Sequence, residues 1–118
     1  MIELRLNQRN VWSKLIEEEY NIVLKNNIIG SITIEYSKNS KCHSKITGFI
    51  IYDELNQNKG YGTKALSKII KKLPAKVPID LKVWKTNSKA RHIYEKMGFH
   101  TIDKNSNSNV YYMTKNNN

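Results

Sequence analysis

The chain has 118 residues, a length that allows one hydrophobic core but not two. Hydrophobic residues make up 39% of it, which is enough to build that core. Its net charge is +10, and residues 60–118 hold twelve Lys/Arg against three Asp/Glu. No apolar run approaches the length of a membrane span, and the N-terminus alternates charged and apolar side chains, unlike a signal peptide. We therefore expect a single domain, residues 1–118, in the cytoplasm.

The cysteine and histidine content argues against a metal site. The sequence has one cysteine and three histidines. Cys42 cannot form an intrachain disulfide, and Cys42-His43 alone offers too few ligands for zinc. We expect no metal.

The first half of the chain predicts strands and one helix. Hydrophobic patterns indicate a strand over 2–6, a helix near 10–18 and a strand over 20–25. Asn26-Asn27 then predicts a two-residue turn into a strand over 28–36, which makes a hairpin.

The second half alternates strands and helices. The predicted elements are a strand over 45–53, a helix over 61–73, a strand over 79–84, a helix over 88–97, and strands over 99–103 and 110–114. Pro74 ends the first helix, Asn87 caps the second and Gly98 ends it. Residues 116–118 are expected to fray. This order predicts an α+β fold with a mixed sheet.

The stretch Gln57-Asn58-Lys59-Gly60-Tyr61-Gly62 lies between the apolar run 46–52 and the first predicted helix. Backbone N–H groups at such a loop and first helical turn are unpaired and carry the positive end of the helix dipole. Glycine permits positive φ angles and close approach of a ligand. The arrangement is typical of a phosphate-binding loop, although G-x-G alone also fits an ordinary tight turn.

A second motif, N-x-x-A-x-x-x-Y-E-K-x-G-F, runs from Asn87 to Phe99. Together with Q-x-x-G-x-G at 57–62, this motif resembles the GNAT superfamily of acetyl-CoA-dependent N-acetyltransferases. The resemblance covers residues 46–114. The resemblance implies a mixed, mostly antiparallel sheet with flanking helices, whose splayed central strands form the coenzyme A cleft. It also implies acetyl-CoA as co-substrate, and transfer of the acetyl group to a primary amine of a small molecule or protein.

The resemblance assigns roles to individual positions. The pyrophosphate is expected to bind the backbone of Asn58, Lys59, Gly60, Tyr61, Gly62 and Thr63, and Gln57 is expected to shape the loop. The main chain of Ile50, Ile51 and Tyr52 is expected to pair with the pantetheine arm, and one of these N–H groups to polarise the thioester carbonyl. Asn87 matches a pantetheine contact and is equally an ordinary helix cap.

Tyr94 matches the family's tyrosine that protonates the leaving thiolate. An ordinary phenol has a pKa of about 10, so it is protonated at neutral pH and can donate to a thiolate whose thiol has a pKa of about 8.5. An aromatic residue at this helix position also fits simple packing. The general base stays open: some protein-acetylating relatives have Glu five residues before the motif Asn, where this chain has Lys82. Candidates are Glu35, His43, Asp53, Glu54 or a water.

One departure from the family affects the acceptor side. The family usually has two helices between the first two strands, and they wall the acceptor site, whereas this chain has room for one. A second copy of the chain is a candidate to complete the site. The alternative function is a non-catalytic acyl-CoA-binding module or accessory subunit, although Tyr94 favours an enzyme because binding needs no proton donor. Nucleic-acid binding is disfavoured because no basic strand is rich in aromatic residues. The acceptor amine is not identified by the sequence.

Overall fold

The computed structural model describes residues 1–52, 56–57, 59–102 and 109–118. These residues form one seven-stranded sheet in the order β1-β2-β3-β4-β5-β7-β6, together with two helices. The elements are β1 Ile2–Val11, β2 Leu15–Leu24, β3 Asn27–Ser37, β4 Ser44–Ile51, α1 Tyr61–Lys72, β5 Ile79–Trp84, α2 Ser88–Lys96, β6 His100–Thr101 and β7 Val110–Lys115. Neighbouring strands are antiparallel except β4 and β5, so the predicted α+β fold with a mixed, mostly antiparallel sheet is confirmed.

The predicted helix near 10–18 is wrong. β1 continues to Val11, β2 begins at Leu15, and Val11 lies opposite Ile16 in a hairpin. The run Glu17-Glu18-Glu19 favours a helix by local propensity, but tertiary pairing overrides such preferences.

Each of these three carboxylates has a partner on β1. Asn10 Nδ2 donates to Glu17 Oε1 over 3.1 Å, and Asn7 Nδ2 donates to Glu19 Oε1 over 2.7 Å. Glu18 is only 3% exposed and pairs with Arg9, whose Nε lies 2.7 Å from Glu18 Oε2. Cross-strand pairs of this kind stabilise a sheet and remove the cost of a buried unpaired charge.

Two other local predictions need correction. The β2–β3 hairpin is present, but its turn residues are Lys25 and Asn26, with φ angles of 50° and 68°, one position before the predicted pair. Asn117, which was expected to fray, donates from Nδ2 to the Pro74 carbonyl over 2.9 Å and accepts from the Lys76 N–H. The C-terminal tail is thus held against the turn that follows α1.

Both helices pack on the same face of the sheet. Successive right-handed crossovers from β4 through α1 to β5, and from β5 through α2 to β6, place the helices on one side. The core combines strand and helix residues in one cluster, among them Ile22, Ile32, Leu66, Ile69, Leu81 and Tyr94. On β5 the buried residues alternate with exposed Lys82 and Trp84, which point to the opposite face. In the described part of the chain, no helix covers that face.

The central strands β4 and β5 separate soon after they begin. They pair only at Ser44 with Ile79 and at Lys45 with Asp80. On the other side of β4, Thr33 lies opposite Gly48 while Ile34 lies opposite Ile46, so β4 carries an extra residue that bends it. A cleft opens between the two strands from this point.

Close backbone packing at the far end of β4 requires a glycine. A Cβ added at Gly30 on β3 would overlap the Ile50 carbonyl oxygen and approach the Ile51 Cα to 3.1 Å. We expect Gly30→Ala to lower the free energy of unfolding by about 3 kcal/mol, because a backbone atom must move to make room.

The matched control is Gly48→Ala, where the nearest atom to a new Cβ is Thr33 Oγ1 at an ordinary 3.5 Å. Urea unfolding of both variants measures the difference. Equal midpoints for Gly30→Ala and Gly48→Ala would contradict the close packing of β3 on the end of β4.

Candidate functional site

The cleft between β4 and β5 contains two adjoining cavities. The larger, of about 820 Å³, is lined by residues of β3, β4, β5, α2 and β7. The smaller, of about 430 Å³, is lined by the end of β4, the glycine loop, the start of α1 and α2. Phe49, Asn87 and Ala90 line both cavities. The arrangement can accommodate an elongated ligand that passes from the helix start to the gap between the strands.

The glycine loop presents backbone donors to the smaller cavity. Gly60 precedes α1 with a φ angle of 79°, a conformation that favours glycine. The first helical bond runs from the Lys64 N–H to the Gly60 carbonyl over 3.1 Å, so the N–H groups of Tyr61, Gly62 and Thr63 precede the helical ladder. The first turn of α1 has no acidic residue, and its dipole therefore favours an anion.

The floor of this cavity is formed by a close contact between α1, β4 and α2. A Cβ at Gly62 would lie 3.2 Å from Phe49 Cζ and 3.6 Å from Ile93 Cδ1. Any larger residue would therefore push against the Phe49 ring or into the cleft.

The other predicted loop residues have distinct surroundings. Gln57 Nε2 donates to the Ile51 carbonyl over 3.1 Å, which ties the loop to the end of β4. Gly60, Gly62, Thr63 and Gln57 line the smaller cavity. Lys59 is exposed, and Tyr61 packs against the core. Asn58 lies outside the described residues.

On β4, the three predicted strand residues are not equivalent. The Tyr52 N–H donates to the Ile29 carbonyl over 2.8 Å and is used within the sheet. Because main-chain groups of a strand alternate in direction, those of Ile50 also face β3, whereas those of Phe49 and Ile51 face the cleft. The sequence analysis did not select Phe49, because no local pattern distinguishes it from the other apolar residues of β4. Only the structure shows that its ring lines both cavities.

Asn87 caps α2 and also faces the cleft. Its Oδ1 accepts from the Ala90 N–H over 3.2 Å, as the sequence predicts. The side-chain amide N–H groups are not used by this cap, so they are available to a ligand in either cavity.

Tyr94 lies on the buried side of α2 and lines the larger cavity. Its ring packs against Phe49 and Phe99, with centroids 6.1 and 5.8 Å away. The side chain is 6% exposed, and this desolvation raises the pKa of Tyr94 to about 12. The phenol is therefore a neutral proton donor throughout the physiological pH range.

The candidate general bases lie in different parts of the structure. Glu35 lines the larger cavity. His43 precedes β4, and its Nδ1 lies 2.8 Å from Asp80 Oδ2, while the other oxygen of Asp80 accepts from Thr114 Oγ1 over 2.7 Å. Asp53 and Glu54 lie outside the described residues.

Two groups of basic residues line the cleft, and of these the sequence analysis named only Lys82, as the residue that stands where some relatives have Glu. Lys89, His92 and Lys96 line the smaller cavity, and their spacing on α2 after the Asn87 cap is a signal that the sequence does carry. Lys45 and Lys82 line the larger cavity. Their position beside a cleft depends on the separation of β4 from β5, and no local sequence pattern predicts that separation.

Neither a metal site nor a membrane span is found among the described residues. No group of three or more His, Cys, Asp or Glu side chains there could hold a metal ion. No helix among them is long and apolar enough to cross a membrane.

Comparison with protein-family models identifies the class of protein to which this fold and cleft belong. Residues 3–99 match the model of the Acetyltransferase (GNAT) family. The chain belongs to this family, whose members are acetyl-CoA-dependent transferases. A comparison with curated proteins finds no significant match.

Solved acetyltransferase structures are similar in fold. An acetyltransferase from Thermus thermophilus has a TM-score of 0.72 at 17% identity, over 85% of this chain and 64% of that one. A GNAT family acetyltransferase from Elizabethkingia anophelis, with acetyl-CoA bound, has a TM-score of 0.67 at 18% identity, over 85% and 76%. A Bacillus subtilis acetyltransferase in complex with CoA has a TM-score of 0.73 at 11% identity, over 98% and 99%. The chain thus spans less than two thirds of the Thermus protein.

The raised pKa of Tyr94 makes stability depend on pH. The folded-state pKa of about 12 exceeds the ordinary value of 10, so the folded protein holds this proton more tightly than the unfolded chain. The resulting contribution of Tyr94 to the free energy of unfolding is complete below pH 10 and is lost as the pH rises from 10 to 12. We expect the free energy of unfolding to fall by about 1 kcal/mol more in the wild type than in Tyr94→Phe between pH 9 and 11.

Chemical denaturation at the two pH values measures this difference. Tyr20, whose pKa is also raised to about 12 by burial, is present in both proteins and cancels in the comparison. Parallel pH dependences for wild type and variant would contradict a desolvated Tyr94 hydroxyl.

Proposed function

We propose that this chain, acting as one domain, is an N-acetyltransferase that moves the acetyl group of acetyl-CoA to a primary amine. The observation that carries the proposal is the position of Tyr94. Its phenol is nearly buried and protonated, and it faces a cleft whose other end is a helix start with free backbone donors. A protein that only binds acyl-CoA has no need of a proton donor there.

The smaller cavity suits the phosphates of the cofactor. In the proposal, the N–H groups at 59–63 hold the pyrophosphate, and the Thr63 hydroxyl adds a further donor. The cations of α2 offset the remaining phosphate charge. The space around Gly60 is open to such a ligand, whereas Gly62 lets α1 pack closely against Phe49 and Ile93 below it.

The pantetheine arm is assigned to the edge that β4 exposes after it leaves β5. Phe49 directs both of its main-chain groups into the cleft and Ile51 its N–H, since the Ile51 carbonyl already accepts from Gln57, and the Asn87 amide faces the same space. We assign polarisation of the thioester carbonyl to one of the N–H groups on this edge.

Acetyl-CoA supplies an acetyl group activated as a thioester, and the new C–N bond to the acceptor forms as the C–S bond breaks. Tyr94 donates its hydroxyl proton to the departing sulfur and regains a proton from solvent. The acceptor ammonium must lose a proton before it reacts. Glu35, which lines the larger cavity, or a water receives this proton.

A non-catalytic acyl-CoA-binding module is the second candidate. The observation that favours it is the uncovered sheet face beside the larger cavity, because in the described residues a hairpin occupies the chain segment where the family usually has two helices. A second copy of the chain is a candidate to cover this face.

The decisive test is Tyr94→Phe, which keeps the ring and its packing and removes only the hydroxyl. We expect turnover to fall by about 10²-fold with little change in acetyl-CoA affinity. Thiol release over a panel of amines and peptides measures turnover, and calorimetric titration measures affinity. Wild-type protein that binds acetyl-CoA and acetylates nothing would favour the binding module, whereas full activity of Tyr94→Phe would remove the general acid.

The basic α2 residues should contribute to binding of the coenzyme A 3′-phosphate. We expect coenzyme A to bind about fivefold more tightly than dephospho-coenzyme A at low salt, with a smaller ratio as salt rises, because the cations are exposed and screened. The double variant Lys89→Met/Lys96→Met should reduce the ratio. Lys68→Met/Lys71→Met, at two exposed lysines of α1 outside both cavities, is the matched control. Equal affinities of the two nucleotides would show that these cations serve another purpose.

A further inference from the structure

We propose that the acceptor carries a carboxylate close to its reactive amine, and that Lys82 selects for this carboxylate. The inference rests on the acetyltransferase function proposed above and names the substrate class of the same cleft. It starts from one lysine of the larger cavity that, within the described part of the chain, forms no ion pair and has no carboxylate residue opposite it on a neighbouring strand.

Lys82 lies in the middle of β5, where this strand has already separated from β4. It lines the larger cavity and belongs to the uncovered face of the sheet. Across β7 its neighbour is Tyr112, and in the described residues it forms no ion pair. Towards β4 it faces the open gap, so its ammonium is available to a ligand.

The other charged residues that line this cavity have polar or charged neighbours. Lys45 on β4 lies directly opposite Glu35 on β3 and Asp80 on β5, so it has a carboxylate residue on each side. Asp80 uses one oxygen for Thr114 and the other for His43. Among the described residues, Lys82 is therefore the lysine of this cavity that has no carboxylate residue directly opposite it on a neighbouring strand, at the point where β4 and β5 diverge.

A carboxylate on the acceptor would complete this arrangement, because it would pair with Lys82 while the amine enters the gap beside it. A second ammonium on the acceptor would instead meet a like charge. This predicts selection against polyamines and in favour of amines that bear a nearby carboxylate.

Two sources share this chemistry, namely free amino acids and a peptide amine beside an acidic residue. The face around Lys82 carries no helix in the described part of the chain, and Trp84 on the same face is 63% exposed. An extended peptide can therefore reach the gap as readily as a small molecule. Acceptors of each kind, tested side by side, separate the two sources.

The test compares acceptors that differ only in charge. The first pair is a short peptide with one lysine next to Asp, against the same peptide with Asn. The second pair is 4-aminobutyrate against 4-aminobutyramide. We expect the anionic member of at least one pair to have a kcat/KM about three- to fivefold higher, mainly through KM, because the pair formed with Lys82 is exposed.

Three variants assign this preference to a residue. Lys82→Met should abolish it, and Lys82→Glu should reverse it. Lys68→Met, which changes the net charge equally outside the cavities, should retain it. The pair that shows the preference identifies the peptide or the amino acid as the source.

Equal kcat/KM values within both pairs for the wild type would overturn the inference, as would a preference that survives in Lys82→Met. These outcomes differ from failure of the proposed function, in which the wild type binds acetyl-CoA by calorimetry but releases no thiol with any acceptor.

Discussion

The structure depends on the early separation of two parallel strands. β4 and β5 share only two paired positions, after which each exposes a row of main-chain donors and acceptors. Unpaired groups of this kind need a partner when they are removed from water. Along β4 that partner can be an extended ligand with amide groups of its own. The extra β4 residue opposite β3, the close packing at Gly30 and the link from Gln57 to Ile51 all act to hold β4 in its bent course.

The uncovered sheet face is the main feature that distinguishes this chain from the family pattern. A long hairpin takes the place of helices, and its second strand places Glu18 between Arg9 and Tyr20, whose hydroxyl donates to Glu18 Oε1 over 2.9 Å. This network stabilises the hairpin on the face that α1 covers, where Lys72 Nζ lies 5.3 Å from the Tyr20 ring centroid. In the proposed function, the acceptor side is therefore formed by strand side chains, whose charges lie directly beside the cleft.

The two ends of the cleft differ in their electrostatics. At the α1 end, the helix dipole and the cations of α2 favour a polyanion. At the β5 end, Lys45 lies between Glu35 and Asp80 on the neighbouring strands, whereas Lys82 lies opposite Tyr112. Between them, Tyr94 is held by Phe49 and Phe99 in surroundings that keep its proton on the oxygen. The aromatic cluster of Phe49, Tyr94 and Phe99 thus lies between the two ends of the cleft.

The sequence by itself determined the glycine loop, the Asn87 cap, most of the strands and helices, and the family. These depend on local rules: turn chemistry, capping and hydrophobic period act within a few residues. It did not determine the hairpin at 2–24, because the helix preference of Glu17-Glu18-Glu19 is outweighed by partners on another strand. It also did not distinguish Phe49 from other apolar residues or place Lys82 in the cleft without an ion pair to any described residue. Those properties arise only when β4 separates from β5 and distant side chains meet, so the tertiary structure alone decided them.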